Sequence, residues 1–143
     1  MKVQDVMTRD VQVIKSSMLV SEAALLMRDG DYGVLPVVKD GLLAGMVTDR
    51  DIAIRAVAAG KQPTETRVED IMSEGVSWAY EDEDAEIAAR RMQDRQIRRL
   101  PVIDREKHLT GIVSIGDFAV EAAELKSAAR ALKGVSEGAE LHQ

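Results

Sequence analysis

Cysteine is absent from the 143-residue sequence. That excludes disulfides, thiolate metal ligands and cysteine nucleophiles. Histidine is nearly absent as well. His108 and His142 are the only two, and neither has another plausible metal ligand near it in sequence or a serine to activate as a general base. Aromatic residues make up only 3%, too few for a platform that stacks single-stranded bases. The net charge of −6 argues against a nucleic-acid partner. No apolar run approaches the roughly 20 residues that cross a bilayer. The opening Met1-Lys2-Val3-Gln4-Asp5 lacks the apolar region of a secretory signal. P-loops, dinucleotide fingerprints, nucleophile elbows and zinc-binding HExxH motifs are all missing. The expectation is a soluble cytoplasmic protein with no membrane and no nucleic-acid partner. What is present is 45% hydrophobic and 31% charged residues, enough for a core and a soluble surface. The length fits one ordinary domain or two very small ones.

The chain repeats itself. Val3-Gln4-Asp5-Val6-Met7-Thr8 matches Val68-Glu69-Asp70-Ile71-Met72-Ser73 at an offset of 65. Leu35-Pro36-Val37-Val38 matches Leu100-Pro101-Val102-Ile103 at the same offset. One extra residue enters the second copy in the turn Asp104-Arg105-Glu106-Lys107-His108. Gly45-Met46-Val47-Thr48-Asp49-Arg50-Asp51 then matches Gly111-Ile112-Val113-Ser114-Ile115-Gly116-Asp117 at 66. The division expected is 1–60 for the first repeat, 61–66 for a polar linker, 67–125 for the second repeat and 126–143 for a C-terminal extension.

Each copy reads β-α-β-β-α, an α/β (α+β) architecture. Val11 to Ile14 alternates and predicts a strand. Leu19 to Asp29 has helical spacing, with Ser16-Ser17 as caps and Gly30 as terminator. Val34 to Val38 and Leu42 to Val47 predict a hairpin of strands, the first with a proline that belongs at an edge or bulge. Asp49 to Ala59, closed by Gly60, predicts the second helix. In the second copy, Val76 to Tyr80 is the first strand and Ala85 to Asp94 the helix. The acids Glu81 to Asp84 read as a helix cap, with a divalent metal site as the alternative. A β-α-β-β-α unit this small buries little core alone, so two copies about a pseudo-twofold axis are the expected folding unit.

The strongest chemical signal is Gly-x-x-[Thr/Ser]-x-x-Asp, at Gly45/Thr48/Asp51 and again at Gly111/Ser114/Asp117. Two readings stay open. One is a capping box at a strand-to-helix junction. The other is a nucleotide site, with the hydroxyl and helix N-terminus for phosphate and the carboxylate accepting from a ribose diol. Met7 and Met72 read either as core or as polarizable contacts for a flat base.

With its Asp-[Val/Ile]-Met-[Thr/Ser] openings, Leu-Pro-Val strands and Gly-x-Val-[Thr/Ser]-x-x-Asp junctions, the repeat resembles the cystathionine β-synthase (CBS) domain, over about residues 2–125. The pair resembles a Bateman module. The resemblance implies a regulatory protein, not an enzyme, with no required cofactor and no metal. It implies two clefts for adenosine-containing ligands: AMP, ADP or ATP first, NAD or S-adenosylmethionine as alternatives. It places ribose on Asp51 and Asp117, and phosphate near Thr48 and Ser114. A phosphate-binding cation is implied at Arg99, where the first repeat has Val34, making the Asp117 cleft the better phosphate site. Arg50 is the cation available to the other cleft, and the direction of Arg98 stays open. The expected lining of the Asp117 cleft is Met7, Thr8, Val11, Tyr32 and Gly33. That of the Asp51 cleft is Met72, Ser73, Val76 and Ile97. The resemblance also implies a homodimer and an effector protein as listener. The rival function is a structural dimerisation module whose motifs are only caps. An apolar stripe from Phe118 through Leu132 predicts a longer last helix.

Overall fold

The computed structural model describes residues 1–119. The expected continuation of the last helix and the tail lie outside the described residues. Single 3-10 turns at Val3–Asp5 and Val68–Asp70 open the two repeats. The first repeat then runs β1 (Ile14–Lys15), α1 (Val20–Gly30), β2 (Val34–Lys39), β3 (Leu42–Thr48) and α2 (Asp49–Asp51), which continues as a π-wound turn over Ile52–Val57. The second runs β4 (Ala79–Tyr80), α3 (Ala85–Asp94), β5 (Arg99–Ile103) and β6 (Leu109–Ser114), with residues 115–119 helical. Each repeat makes its own three-stranded sheet, ordered β1-β2-β3 and β4-β5-β6. The outer pairings are alike: parallel between first and central strands, antiparallel between central and last.

The helices bury the stripes their spacing prescribes. Val20, Ala23 and Met27 face the core from α1, and Ala85, Ala88 and Met92 do so from α3, the same positions shifted by 65. The β2–β3 hairpin turns on Asp40 (φ 53) and Gly41 (φ 80). Both central residues are left-handed, as a two-residue hairpin loop requires.

Three sequence expectations need correction. The caps of α1 are not the serines. Leu19 is the N-cap and contributes no side-chain bond. The free N–H groups of Val20 and Ser21 donate instead to the carbonyls of Thr66 (2.8 Å) and Pro63 (3.0 Å) in the linker. Nor does Gly30 terminate the helix in a left-handed turn. Asp31 does (φ 55), and the Tyr32 ring lies where a Cβ on Gly30 would stand, so a larger residue there would have to displace the ring.

The first strand of each repeat is also shorter than alternation predicts, and proline is the reason. Met46 directs both its N–H and its C=O away from β2, to Ser73. Pro36, its partner in register, therefore turns its own polar atoms toward β1. Val38, two residues on, accepts from Ser16 N–H at 3.0 Å. The next donor along that edge would be the N–H that Pro36 lacks. The ladder stops at Ile14, and Val11–Val13 leaves the sheet. Pro101 does the same to β4, whose Ala79–Tyr80 pairing leaves residues 76–78 outside.

The repeats exchange their leading segments. Val68 and Ile71 of the second repeat complete the first core, with Ile14, Leu35, Val37 and Val47. Val3 of the first repeat completes the second core, with Leu100, Val102 and Val113. Backbone bonds show the twofold directly. Val68 and Glu69 donate to Met18 and Ser16, while Val3 and Gln4 donate to Glu83 and Glu81, the same bonds in reverse direction.

The acids 81–84 are divided among separate tasks. Asp84 caps α3, its Oδ1 accepting from Glu86 N–H at 2.8 Å and Ile87 N–H at 3.3 Å. Glu83 pairs with Arg91. Asp82 takes a two-point contact from Arg105 at 2.8 and 3.0 Å, and that hydrogen-bonded guanidinium holds its carboxyl below the usual carboxylate range. Among the described residues no cluster is arranged to hold a metal ion. Asp84→Ala is expected to cost about 0.5–2 kcal/mol in urea unfolding, the range of a lost N-cap.

Candidate functional site

Both strand-to-helix junctions close as capping boxes. Thr48 Oγ1 accepts from Asp51 N–H and Asp51 Oδ2 from Thr48 N–H, each at 3.0 Å. Ser114 Oγ accepts from Asp117 N–H at 3.2 Å, and Asp117 Oδ2 from Ser114 N–H at 2.8 Å. The cap does not exhaust these groups, because a carboxylate has about four lone-pair sites and a hydroxyl can still donate.

The exchanged leaders bring the two repeats together beside these junctions. Thr8 straps onto β6 through reciprocal bonds with Ile112 (2.8 and 2.9 Å), and Ser73 straps onto β3 through Met46 (2.8 and 3.0 Å). Such close approach needs a glycine on the receiving strand. A Cβ on Gly111 would stand 2.6 Å from Thr8 O, and one on Gly45 would stand 2.5 Å from Ser73 O.

Beyond each strap the segment that proline released from the sheet forms a wall, and a cleft opens. The first, 210 Å³, has Ser114 and Asp117 on one side and Thr8, Val11 and Tyr32 from the other repeat facing them. Arg99 and Val34 border it, with Asp10, Gln12, Leu35 and Ile112. The second, 330 Å³, has Thr48 facing Ser73, Val76 and Ile97. Arg99 and Val34 border this cleft too, with Met46, Ser77 and Pro101.

The clefts are not equivalent. Asp117 lines the first. Asp51 is buried behind the second, where Ser73 Oγ lies 3.4 Å from both its oxygens and Arg55 Nε lies 3.8 Å from Oδ1. Among the described residues, only the first cleft carries an additional carboxylate, Asp10.

The structure gathers Thr8, Val11, Tyr32, Arg99, Ser114 and Asp117 around one cleft, and Thr48, Ser73, Val76 and Ile97 around the other. Six expected site residues stand elsewhere. Met7 and Met72 pack against the second and first cores respectively. Their positions directly before the straps turn them toward these cores, where they are half-buried. Gly33 is spent on the backbone, its C=O accepting from Asp49 N–H. Arg98 holds Ile115 N–H through its C=O, and its side chain, like that of Arg50, is exposed outside both linings. Asp51 is turned inward as described. Asp10, Gln12 and Ser77 were not foreseen. The repeat offset, which equates Gln12 with Ser77 and follows directly on Val11 and Val76, is the signal that points to two of them; Asp10 has no counterpart signal.

A family model described as the CBS domain matches residues 3–57 and 68–124. The CBS domain-containing protein YhcV of Bacillus subtilis is 40% identical over 134 residues, 94% of each chain. Among solved structures, CBSX2 of Arabidopsis thaliana in complex with AMP is 30% identical, with a TM-score of 0.75 over 87% of this chain and 98% of that one. The CBS domain pair of MJ0100, in complex with 5′-methylthioadenosine and S-adenosyl-L-methionine, is also 30% identical. Its TM-score is 0.73, over 87% of this chain and 97% of that one.

Proposed function

The chain belongs to the CBS-domain family, and from that premise we propose that it is a regulatory module whose signal is an adenine nucleotide such as AMP, ADP or ATP, held between its repeats. The observation that carries the proposal is the first cleft. It sets a hydroxyl and an acid at a helix N-terminus on one repeat against a tyrosine and a valine from the other. A helix start attracts phosphate. Asp117 has one carboxylate oxygen outside the capping box for a ribose hydroxyl. Tyr32 and Val11 supply flat and apolar surface for a base. The three ligands of CBSX2 and MJ0100, all adenosine derivatives, support the same class.

Because the two walls of each cleft belong to different repeats, a ligand binds tighter to one relative placement of the repeats than to another. That differential affinity is the only means by which it alters the conformation a partner protein meets. Asp10 favours a second reading for the first cleft alone. Its carboxylate suits the positive charge of S-adenosylmethionine better than a phosphate.

The test is thermal unfolding with AMP, ADP, ATP, NAD and S-adenosylmethionine. A ligand at 100 times its Kd adds about 2.7 kcal/mol of stability. A rise with an adenine nucleotide supports the proposal, and a rise with S-adenosylmethionine alone moves the assignment to the second reading. No rise with any of them overturns both and favours a structural dimerisation module. Asp117→Ala is expected to weaken the responding ligand by about tenfold or more in calorimetry, the equivalent of one lost charge-assisted hydrogen bond. Unchanged affinity sinks the ribose assignment.

A further inference from the structure

The clefts do not have separate cations. Among the described residues lining them, Arg99 is the only basic side chain, and it borders both. Val34, its counterpart in the repeat, borders both as well, so the two stand close to the pseudo-twofold axis where the clefts meet. A symmetric pair of arginines would have given each cleft its own charge. Here one side of the axis is charged and the other is apolar. The position is fixed, because Arg99 opens β5 in register with Ser114. Its guanidinium is exposed, and the ion pairs of the described residues leave it out.

Resting on the nucleotide reading, we propose that Arg99 is shared. One guanidinium serves phosphate in either cleft, so anionic ligands in the two clefts antagonise each other, while an uncharged nucleoside does not. A nucleoside monophosphate carries nearly two negative charges at neutral pH. The first to bind draws the flexible side chain to its own cleft. The second meets a site without its cation and beside an added anion. Opposed phosphates at the axis repel, and partial exposure lets salt weaken that repulsion. The device makes the module respond to the first anionic ligand over one concentration range and to the second over a higher one. Nothing in the bases or sugars need differ.

The experiment is calorimetry on the intact chain with AMP and with adenosine. Val11→Trp plugs the first cleft and Val76→Trp the second, giving the intrinsic association constant of each remaining cleft. For independent clefts, the product of the two wild-type stepwise constants equals the product of the intrinsic ones. With AMP it is expected to fall short by about tenfold or more, within the range of ordinary allosteric coupling, and with adenosine to match. Arg99→Ala is expected to weaken AMP in both plugged variants by similar factors and to leave adenosine unchanged.

Should a plug unfold the chain, the ratio of second to first dissociation constants in wild type replaces it. Taken as the second constant over the first, that ratio is expected to be larger for AMP than for adenosine and to shrink in 1 M salt, roughly a 3 Å screening length. AMP constants that multiply as for independent clefts, or an Arg99→Ala effect confined to one cleft, overturn the sharing while the nucleotide reading stands. Absence of heat with both AMP and adenosine overturns that reading, and the sharing with it.

Discussion

Ile71→Ala is expected to destabilise the protein by roughly 2–5 kcal/mol, the range for truncating a fully buried large aliphatic residue. Ile71 is 1% exposed, yet the core it fills is not that of its own repeat. It fills the core built on β1, β2 and α1, beside Val68, with Met18 and Met72 at the edge. The flexible methionines can partly collapse on the vacancy, which places the expected cost toward the lower half of that range. At roughly 2–4 °C per kcal/mol for a chain of this size, the melting temperature falls by about 5–10 °C. Trp78, the only tryptophan, makes the test sharper, because it lies in the second repeat. If the repeats unfold as one unit, the fluorescence transition of Trp78 moves down together with the far-ultraviolet dichroism of the whole chain. A tryptophan transition that stays in place while the dichroism splits in two would show independent repeats and refute the interlocked core.

Gly111→Val is expected to do comparable harm by a different route, and to damage binding with it. The new Cβ would meet Thr8 O at 2.6 Å and Met7 Sδ at 2.9 Å. The sulfur sits on a flexible arm and can move, but the carbonyl belongs to the strap. Overpacking costs about 1–3 kcal/mol. Forcing the strap away adds the two Thr8–Ile112 bonds at about 1 kcal/mol each. Thr8 is also a wall of the cleft that holds Ser114 and Asp117, so nucleotide affinity there is expected to fall by about tenfold or more, in proportion to lost contacts. The cleft at Thr48 keeps its own strap through Ser73. The comparison variant is Gly33→Ala, where the nearest atom to the new methyl is Asp49 Oδ2 at 3.7 Å and the backbone has no left-handed φ. Its stability and ligand affinity should match wild type. Equal behaviour of Gly111→Val and Gly33→Ala in urea unfolding and calorimetry would show that the straps carry neither stability nor site geometry.

How far these features could be read in advance depends on whether periodicity touches them. The bounds of α3 follow from spacing alone, and the offset of 65 carries its pattern onto α1. The hairpin at Asp40-Gly41 follows from turn chemistry. Periodicity tells which face of an element is apolar but not whose surface covers it, so the crossing of Val3 and Ile71 into opposite cores could not be seen. Alternation overran both first strands because it registers side chains, whereas Pro36 and Pro101 act on the backbone of a neighbouring strand. At the clefts, the hydroxyl and acid positions are visible because a helix start constrains them. The turn of Met7 and Met72 toward the cores, and the place of Asp10 beside the first cleft, are decided within irregular segments where no spacing rule operates. Arg99 was legible as a cation, and its place beside both clefts only as geometry.

The crossed leaders also dictate an order of events during synthesis. The first core lacks Val68 and Ile71 until the opening of the second repeat has left the ribosome, so a nascent first repeat remains incomplete. Val3 waits longer still. Its seat among Leu100, Val102 and Val113 exists only roughly a hundred residues later, about 5–20 seconds at ordinary elongation rates. The leading segment of the first repeat is therefore among the last parts of the pair to be fixed. The slow, long-range closure it requires waits until both repeats are available to receive each other.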